Sequence, residues 1–208
     1  MRLSEPFVIG LTGNIATGKS TVLAWLAKRG AYVLDADKLG HAAIAPGGPA
    51  YQAVLQAFGA ELAKADGVID RKALGNLVFA DAQALKKLEA ITHPAVFELA
   101  REAIQQSQAQ VVVLEAIKLL DGGATHALCN EVWVITSSQE TQLQRLKASR
   151  GMAREEALAR MQAQSSQEFK VSRADRVIQN DGSEAELEAQ LELLWQDVQH
   201  KLETAAEN

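Results

Sequence analysis

Short apolar runs alternate with segments of helical spacing along much of this chain. Five runs rich in apolar and β-branched residues predict buried strands: 7–11 (FVIGL), 31–34 (AYVL), 111–114 (VVVL), 131–136 (EVWVIT) and 176–179 (RVIQ). Between the first two, residues 20–29 place Val22, Leu23 and Leu26 on one side of a predicted helix. A strand, a loop, a helix and a second strand in so short a span predict a βαβ unit, and therefore a parallel sheet with helices on both faces.

The middle of the chain lacks this alternation. After the Pro46–Pro49 turn, apolar residues recur at helical spacing and predict four helices: 51–58, 71–79, 82–91 and 94–106. We interpret 46–108 as a helical lobe inserted into the sheet domain. Beyond it, helices are expected over 139–148, 154–167 and 183–202, and Ser183 with Glu186 fits a capping box at the start of the last one.

The first predicted strand leads into a glycine-rich motif. Residues 13–20, GNIATGKS, match the phosphate-loop pattern G-x-x-x-x-G-K-S/T, with a strand before and a helix after. Glycines let successive N–H groups point at phosphate oxygens, and the N-terminus of the helix adds its positive dipole. Lys19 would neutralise the β and γ phosphates, and the Ser20 hydroxyl would bind Mg²⁺. The expected phosphate site is Gly13, Asn14, Ile15, Ala16, Thr17, Gly18, Lys19, Ser20 and Thr21.

Composition and charge narrow the class of protein. The 208 residues are 48% hydrophobic and 23% charged, as in an ordinary globular protein. A net charge of −5 argues against a protein that coats nucleic acid or anionic membrane, so neither is expected as a partner. The single cysteine, Cys129, excludes a disulfide framework. No apolar run is long enough to span a membrane and no signal-peptide pattern is present, so we expect a cytoplasmic protein. A monomer is expected, with an oligomer left open.

Phosphate-loop proteins include motor ATPases, GTPase switches and small-molecule kinases. The chain is too short for most motor ATPases, and the segment after 131–136, TSSQ, lacks the N-K-x-D sequence by which GTPases recognise guanine. A kinase needs a lobe for its second substrate and a mobile basic segment over the transferred phosphoryl group. The insertion and the basic residues around 145–160 fit both needs, although most of those basic residues are more typical of a solvated helix face. We expect a lid over 149–169 and a core over 1–45, 109–148 and 170–208.

Two aspartates follow the second predicted strand. Asp35 and Asp37 lie at the carboxyl end of that strand, the sheet edge where α/β proteins bind ligands. A carboxylate there can accept a proton from a substrate hydroxyl, or hold Mg²⁺ through water. We favour Asp37 as the reactive group and Asp35 as a supporting one. The alternative is that one of them only caps the next helix.

These motifs together resemble the dephospho-CoA kinase family. The segments that carry the resemblance are 9–21 (IGLTGNIATGKST), 33–38 (VLDADK), 67–79 (GVIDRKALGNLVF), 88–94 (LEAITHP), 142–150 around Arg145 and Arg150, 163–164 (AQ) and 174–182 (ADRVIQNDG). They occur in the family's order from about residue 8 to residue 182. A phosphate loop alone is shared by many families, whereas this combination is specific.

The resemblance implies a function and a fold. The family transfers phosphate from ATP, with Mg²⁺, to the ribose 3′-hydroxyl of 3′-dephospho-coenzyme A. Its fold implies a three-layer, nucleotide-kinase-like α/β core with a parallel sheet, the inserted helical lobe binding the coenzyme, and a helical lid. The implied catalytic residues are Asp37 as general base, Lys19, and the lid arginines Arg145 and Arg150. Asn180 and Gly182 would lie on the adenine side of ATP.

The chain also departs from the family. Asn14 replaces a usual glycine, which asparagine tolerates because it reaches left-handed conformations. The family's L-D-I-P-L-L-F-E becomes L-E-A-I-K-L-L-D at 114–121, where Glu115 is expected to orient a Mg²⁺-bound water. Lys118 is expected either to face a substrate phosphate or to lie on the surface. His93, before Pro94, is expected to contact substrate, to cap a helix or to serve as a packing residue.

Two other functions remain open from the residues. A different small phosphate-loop kinase could act on a nucleoside, a nucleotide or a shikimate-like alcohol, but it would not need the D-A-D-K and I-D-R elements. A regulatory module could bind nucleotide without turnover, but it would have no use for a base and basic residues around the phosphoryl group.

Overall fold

A five-stranded sheet organises the fold. The computed structural model describes residues 5–122 and 124–207, so residues 1–4, 123 and 208 of the predicted core lie outside the description. The strands are β1 (Phe7–Gly13), β2 (Tyr32–Asp35), β3 (Val111–Glu115), β4 (Glu131–Thr136) and β5 (Arg176–Gln179), in the order β2-β3-β1-β4-β5. β1 pairs in parallel with β3 and β4, and β4 pairs in parallel with β5. The predicted parallel α/β architecture is confirmed.

Helices connect and flank the strands. Those of the described residues are α1 (Lys19–Lys28), α2 (Ala36–Ala43), α3 (Tyr51–Phe58), α4 (Arg71–Ala80), α5 (Ala82–Gln106), α6 (Gln139–Arg150), α7 (Arg154–Gln162), α8 (Gln167–Val171) and α9 (Glu184–Glu207). Within the described ranges, none is both long and apolar enough to cross a membrane. The predicted capping box is confirmed, since Ser183 N donates to Glu186 Oε2 at 2.7 Å and Glu186 N donates to Ser183 Oγ at 3.3 Å.

The three inner strands, β1, β3 and β4, are buried on both faces. Leu11 and Trp133 point to one face, where Leu26 of α1 and Leu191 of α9 complete a cluster that is almost fully inaccessible to solvent. Val112 belongs to the opposite face and is equally buried. Each such side chain stabilises the fold by roughly 1.5–3 kcal/mol. Burial on both faces explains why these strands appear in the sequence as continuous apolar runs.

Internal contacts divide the chain into two compact units. One consists of Met1–Leu34 with Ile104–Asn208, and the other is Asp35–Ala103. The second unit has a small core of its own, formed by buried Val54, Leu62, Ile69, Leu74 and Val78. The predicted lobe, 46–108, overlaps this unit, and its bounds stay a prediction.

The predicted break before Pro94 is wrong, because α5 continues through this proline. Proline in a helix removes one hydrogen bond and costs about 3 kcal/mol. Apolar side chains on both sides of it, Ile91 and Ala95, pack in one cluster with Ala43 and Ala50. Burial of that continuous face offsets the missing bond.

Two other predicted helix ends are wrong. The helix expected over 154–167 ends at Gln162, because Ser166 accepts a hydrogen bond from Phe169 N at 3.1 Å and so caps a separate helix, α8. The last helix runs beyond the expected 202 to Glu207.

Candidate active site

The phosphate loop joins β1 to α1. Gly13 ends the strand, and Gly18 precedes the first helical residue with φ 102° and ψ 21°, a left-handed conformation that favours glycine. A Cβ at Gly18 would overlap the side-chain amide of Asn180. The loop is closed from within, since Thr17 Oγ1 donates to Asn14 O at 2.9 Å. The main-chain N–H groups at the start of α1 are therefore presented at the loop, as anion binding requires.

The loop contains a strained residue. Ala16 has φ 60°, a conformation that non-glycine residues seldom adopt. Its neighbours are held from outside the loop: Ile15 N donates to Gln164 Oε1 at 2.8 Å, and Asn14 Nδ2 donates to Ser165 O at 3.0 Å. Asparagine in place of the family's usual glycine thus gains a contact with the segment between α7 and α8.

Lys19 lies over the loop. Its Nζ donates to Gly13 O at 2.7 Å, so the ammonium group is already next to the backbone that would surround a phosphate. Ser20, the next residue, is exposed in the first turn of α1. Lysine and serine are thus presented side by side, as the sequence motif predicts.

A cavity of about 990 Å³ opens around this loop in the first unit. It is lined by loop residues 14–21 and by five of the other predicted site residues: Glu115, Arg145, Arg150, Asn180 and Gly182. Arg160 and Gln164 line it as well. β1 and β3 end here, so the cavity lies at the carboxyl edge of the sheet, where the parallel topology predicts a ligand.

Arg145 is bound to the loop rather than extended over it. This residue of α6 donates to the main-chain carbonyls of Ala16 and Thr17, each at 3.3 Å, and to the carbonyl of Asn180 at 2.9 Å. It also donates to Ser137 Oγ at 3.0 Å. Arg145 thus joins three segments around the phosphate loop. Arg150, the last residue of the same helix, is exposed.

Asn180 and Ser137 complete this hydrogen-bonded group. Both are buried. Asn180 Nδ2 donates to Thr17 O at 2.8 Å, and Ser137 Oγ donates to Asn180 O at 2.8 Å. The sequence does not single out Ser137, since a serine after a strand carries no pattern of its own.

A buried lysine is bonded to the main chain of Ile117, a residue that lines the cavity. Lys170 of α8 is 1% exposed, and its Nζ donates to Ile117 O at 2.9 Å. The same carbonyl accepts a hydrogen bond from Thr12 Oγ1 at 3.1 Å. Burial lowers the pKa of Lys170, and the charge of Lys19 lowers it further, against the opposing effect of Asp121. The sequence does not single out this residue either, because a lysine in a polar helix looks like any surface lysine.

Four predicted site residues remain: Asp35, Asp37, His93 and Lys118. Asp35 caps α2, where its carboxylate accepts from Lys38 N at 3.1 Å. Asp37 is exposed in the first turn of the same helix. His93 is half-buried inside α5, so its expected position at a helix start is wrong. These three residues belong to the second unit, whereas Lys118 is exposed in the first, after β3.

A central parallel strand that ends in this loop, followed at once by a helix, defines a phosphate-loop nucleotide-binding protein. The family model for dephospho-CoA kinase matches residues 7–186. A dephospho-CoA kinase of Geobacter sulfurreducens is 46% identical over 191 residues, which cover 90% of this chain and 96% of the relative. The chain belongs to the dephospho-CoA kinase family.

Solved structures agree with this assignment. A Thermus thermophilus protein superposes with a TM-score of 0.78 at 36% identity, covering 93% of this chain and 98% of its own. A dephospho-CoA kinase from Campylobacter jejuni superposes with a TM-score of 0.68 at 29% identity, covering 92% and 96%. The resemblance drawn from the sequence motifs is confirmed: the protein is an enzyme, a kinase of coenzyme A biosynthesis.

Proposed function

We propose that this enzyme transfers the γ-phosphoryl group of ATP to the ribose 3′-hydroxyl of 3′-dephospho-coenzyme A, giving coenzyme A and ADP. A bond forms between the 3′-oxygen and the γ-phosphorus, and the bond from that phosphorus to the β,γ-bridging oxygen breaks in line with it. The observation that carries the proposal is the cavity around the phosphate loop, which brings Lys19, Ser20 and Glu115 together in a member of this family.

The ATP phosphates would bind residues 13–21. Lys19 Nζ now donates to Gly13 O, and nucleotide binding would exchange that carbonyl for phosphate oxygens of higher charge. Asn180 and Gly182 line the same cavity and would lie on the adenine side. Lys19 and the exposed Arg150 would neutralise charge on the moving phosphoryl group. Arg145 would hold the phosphate loop in place through its hydrogen bonds to the carbonyls of Ala16 and Thr17.

The residues present suit Mg²⁺. The ion prefers oxygen ligands in an octahedron and is commonly held by one or two carboxylates together with substrate phosphates and water. Ser20 offers a hydroxyl, and Glu115 offers a carboxylate on the same cavity, through a water. Within residues 5–122 and 124–207, no group of three or more His, Cys, Asp or Glu residues could hold a metal by itself. Bound Mg²⁺ would supply neutralisation of the phosphate charge.

Asp37 would accept the proton of the 3′-hydroxyl. Asp35 is committed to capping α2, whereas the carboxylate of Asp37 is exposed at the start of that helix. That difference supports Asp37 as the base and Asp35 as its structural support. His93, half-buried in α5, and Lys118, exposed after β3, are the further candidates for contact with the coenzyme, Lys118 through a phosphate.

The first experiment measures ADP release from Mg-ATP with and without 3′-dephospho-coenzyme A, with adenosine, AMP, CMP and shikimate as alternative acceptors. Stimulation by dephospho-coenzyme A alone, with the product confirmed by mass, supports the proposal. Stimulation by another acceptor instead would be consistent with phosphoryl transfer at the phosphate loop but would reject 3′-dephospho-coenzyme A as the substrate. Nucleotide binding without any turnover would favour the regulatory alternative.

A second experiment tests the base. Asp37→Asn should lower kcat by about 10²- to 10⁴-fold, the range for loss of a general base, and leave ADP affinity within about twofold. Asp66→Asn is the matched control, since it removes the same charge from another exposed residue whose Oδ1 accepts a turn hydrogen bond from Val68 N. Near-normal turnover by Asp37→Asn would reject the base role.

A further inference from the structure

Gln164 links the phosphate loop to the segment between α7 and α8. Its Oε1 accepts the hydrogen bond of Ile15 N at 2.8 Å, and its side chain lines the cavity around the loop. Ser165, the next residue, accepts from Asn14 Nδ2 at 3.0 Å. Two successive residues of this segment therefore hold two successive residues of the loop.

The position of these bonds along the loop is informative. Ile15 directly precedes Ala16, whose φ of 60° is strained for a residue with a Cβ. Such a conformation persists only where the surrounding structure over-determines it. The Ala16 carbonyl is held on its other side by Arg145 Nη1 at 3.3 Å. Arg145 thus holds the peptide group that follows the Ala16 Cα, and Gln164 holds the peptide group between Asn14 and Ile15, one residue before Ala16.

The same glutamine joins the loop to α7. This helix packs on α6 and on the loop, with buried Ala157 in one apolar cluster with Leu146 and Ile15. Arg160 of α7 lines the cavity. A shift of the Gln164 bond would therefore move both the loop and the helix that supplies this arginine.

We propose that Gln164 is a positioning residue for phosphoryl transfer. Its amide oxygen holds the Ile15 N–H and so keeps the phosphate loop, with the left-handed Ala16, in the shape that binds nucleotide phosphates. Gln164 acts through Ile15 and does not touch the reacting atoms. The expected effect of Gln164 on turnover rests on the proposed function. Its expected effect on nucleotide binding does not depend on which acceptor the enzyme uses.

The chain offers matched controls. Gln167, three residues along, makes two hydrogen bonds to the main chain of Ser137 after β4, with Ser137 N donating to Oε1 at 3.1 Å and Nε2 donating to Ser137 O at 2.9 Å. Gln167 thus anchors the chain just after Gln164 to Ser137, and neither of these two hydrogen bonds involves the phosphate loop. Gln162 is exposed at the end of α7. Methionine replaces glutamine at nearly constant volume and removes the amide in each case.

The test compares Gln164→Met, Gln167→Met and Gln162→Met. ADP affinity is measured by calorimetry, stability by thermal unfolding, and kcat and KM by ADP release. Gln164→Met should bind ADP roughly three- to tenfold more weakly, the effect of one hydrogen bond, and lower kcat by a similar factor with the acceptor KM within twofold. Gln167→Met should lower the melting temperature while leaving ADP affinity unchanged. Gln162→Met should resemble the wild type in all three measurements.

Unchanged ADP affinity in Gln164→Met would overturn the proposal. So would an equal loss of affinity in Gln167→Met, because the effect would then belong to the segment as a whole. If Gln164→Met does not fold, Gln164→Asn, whose amide is one methylene too short to reach Ile15 N, takes its place with the same expectation. Wild-type protein that binds ADP but phosphorylates no acceptor would reject the proposed function, and the ADP comparison would still decide the role of Gln164.

Discussion

Replacement of Arg145 by methionine tests whether this arginine supports the phosphate loop or acts on substrate. A hydrogen bond from a charged group is worth about 1.5–3 kcal/mol, but the bonds of one guanidinium do not add. Thr17 O keeps a donor from Asn180 Nδ2, and Asn180 O keeps one from Ser137 Oγ, whereas Ala16 O loses its side-chain donor. We therefore expect a loss of about 2–3 kcal/mol, the value of one such bond rather than of several.

The assay is thermal unfolding followed by circular dichroism. For a chain of this size a loss of 2–3 kcal/mol corresponds to a fall in Tm of roughly 5–10 °C. Arg150→Met is the matched control for stability, because Arg150 is exposed on the same helix and its loss should change unfolding by no more than about 0.5 kcal/mol. If Arg145→Met melts within about 2 °C of wild type and only kcat falls, the arginine acts on the substrate and does not support the phosphate loop.

The remaining predictions concern backbone strain and pH. Gly18→Ala should lower the free energy of unfolding by more than about 1–3 kcal/mol, since it adds an overlap with Asn180 to an unfavourable φ of 102°. Gly30→Ala is the control, because Gly30 has φ 89° and no atom lies within 4 Å of the added Cβ. In a denaturant titration it should lose only the free energy that comes from the unfavourable φ. Equal losses of unfolding free energy in the two variants would contradict the overlap with Asn180. Burial would raise the pKa of Glu131, but hydrogen bonds from Lys201 and the Trp133 indole outweigh it and lower the pKa below its usual 4.5. This stabilisation is present above about pH 4.5 and is lost as the pH falls through the lower folded-state pKa, so wild-type Tm should drop more steeply in acid than that of Glu131→Gln. If the Tm of the wild type and that of Glu131→Gln fall equally with pH, Glu131 does not contribute to the loss of stability in acid.

Most of the features that the sequence predicted depend on residues that are close together in the chain. The strand before Gly13, the loop and the helix after it lie within about thirty residues, so the pattern of apolar and glycine positions describes them together. The capping box at Ser183 is local in the same way. Its residues are three positions apart and need no tertiary contact to be recognised.

Long-range contacts account for what the sequence did not show. Ile15 and its partner Gln164 are 149 positions apart, and Asn180 and Thr17 are 163 apart. Gln164 and Asn180 look like ordinary polar side chains in the sequence, and their partners are main-chain groups of Ile15 and Thr17, which no residue type reveals. The continuation of α5 through Pro94 has the same cause, because tertiary burial outweighed a local signal for a helix end.

The strand order also has a consequence for synthesis of the chain. β1 is the central strand, yet its neighbours β3 and β4 are made much later: Val8 pairs with Val112, 104 residues further on, and Ile9 aligns with Glu131. At a translation rate of about 5–20 residues per second, the apolar run of β1 emerges roughly 5–20 s before its first partner exists. During that interval both of its edges are open to other strands. The segment that ends in the phosphate loop thus depends on protection from aggregation during synthesis, and slower translation between β1 and β3 would lengthen its exposure.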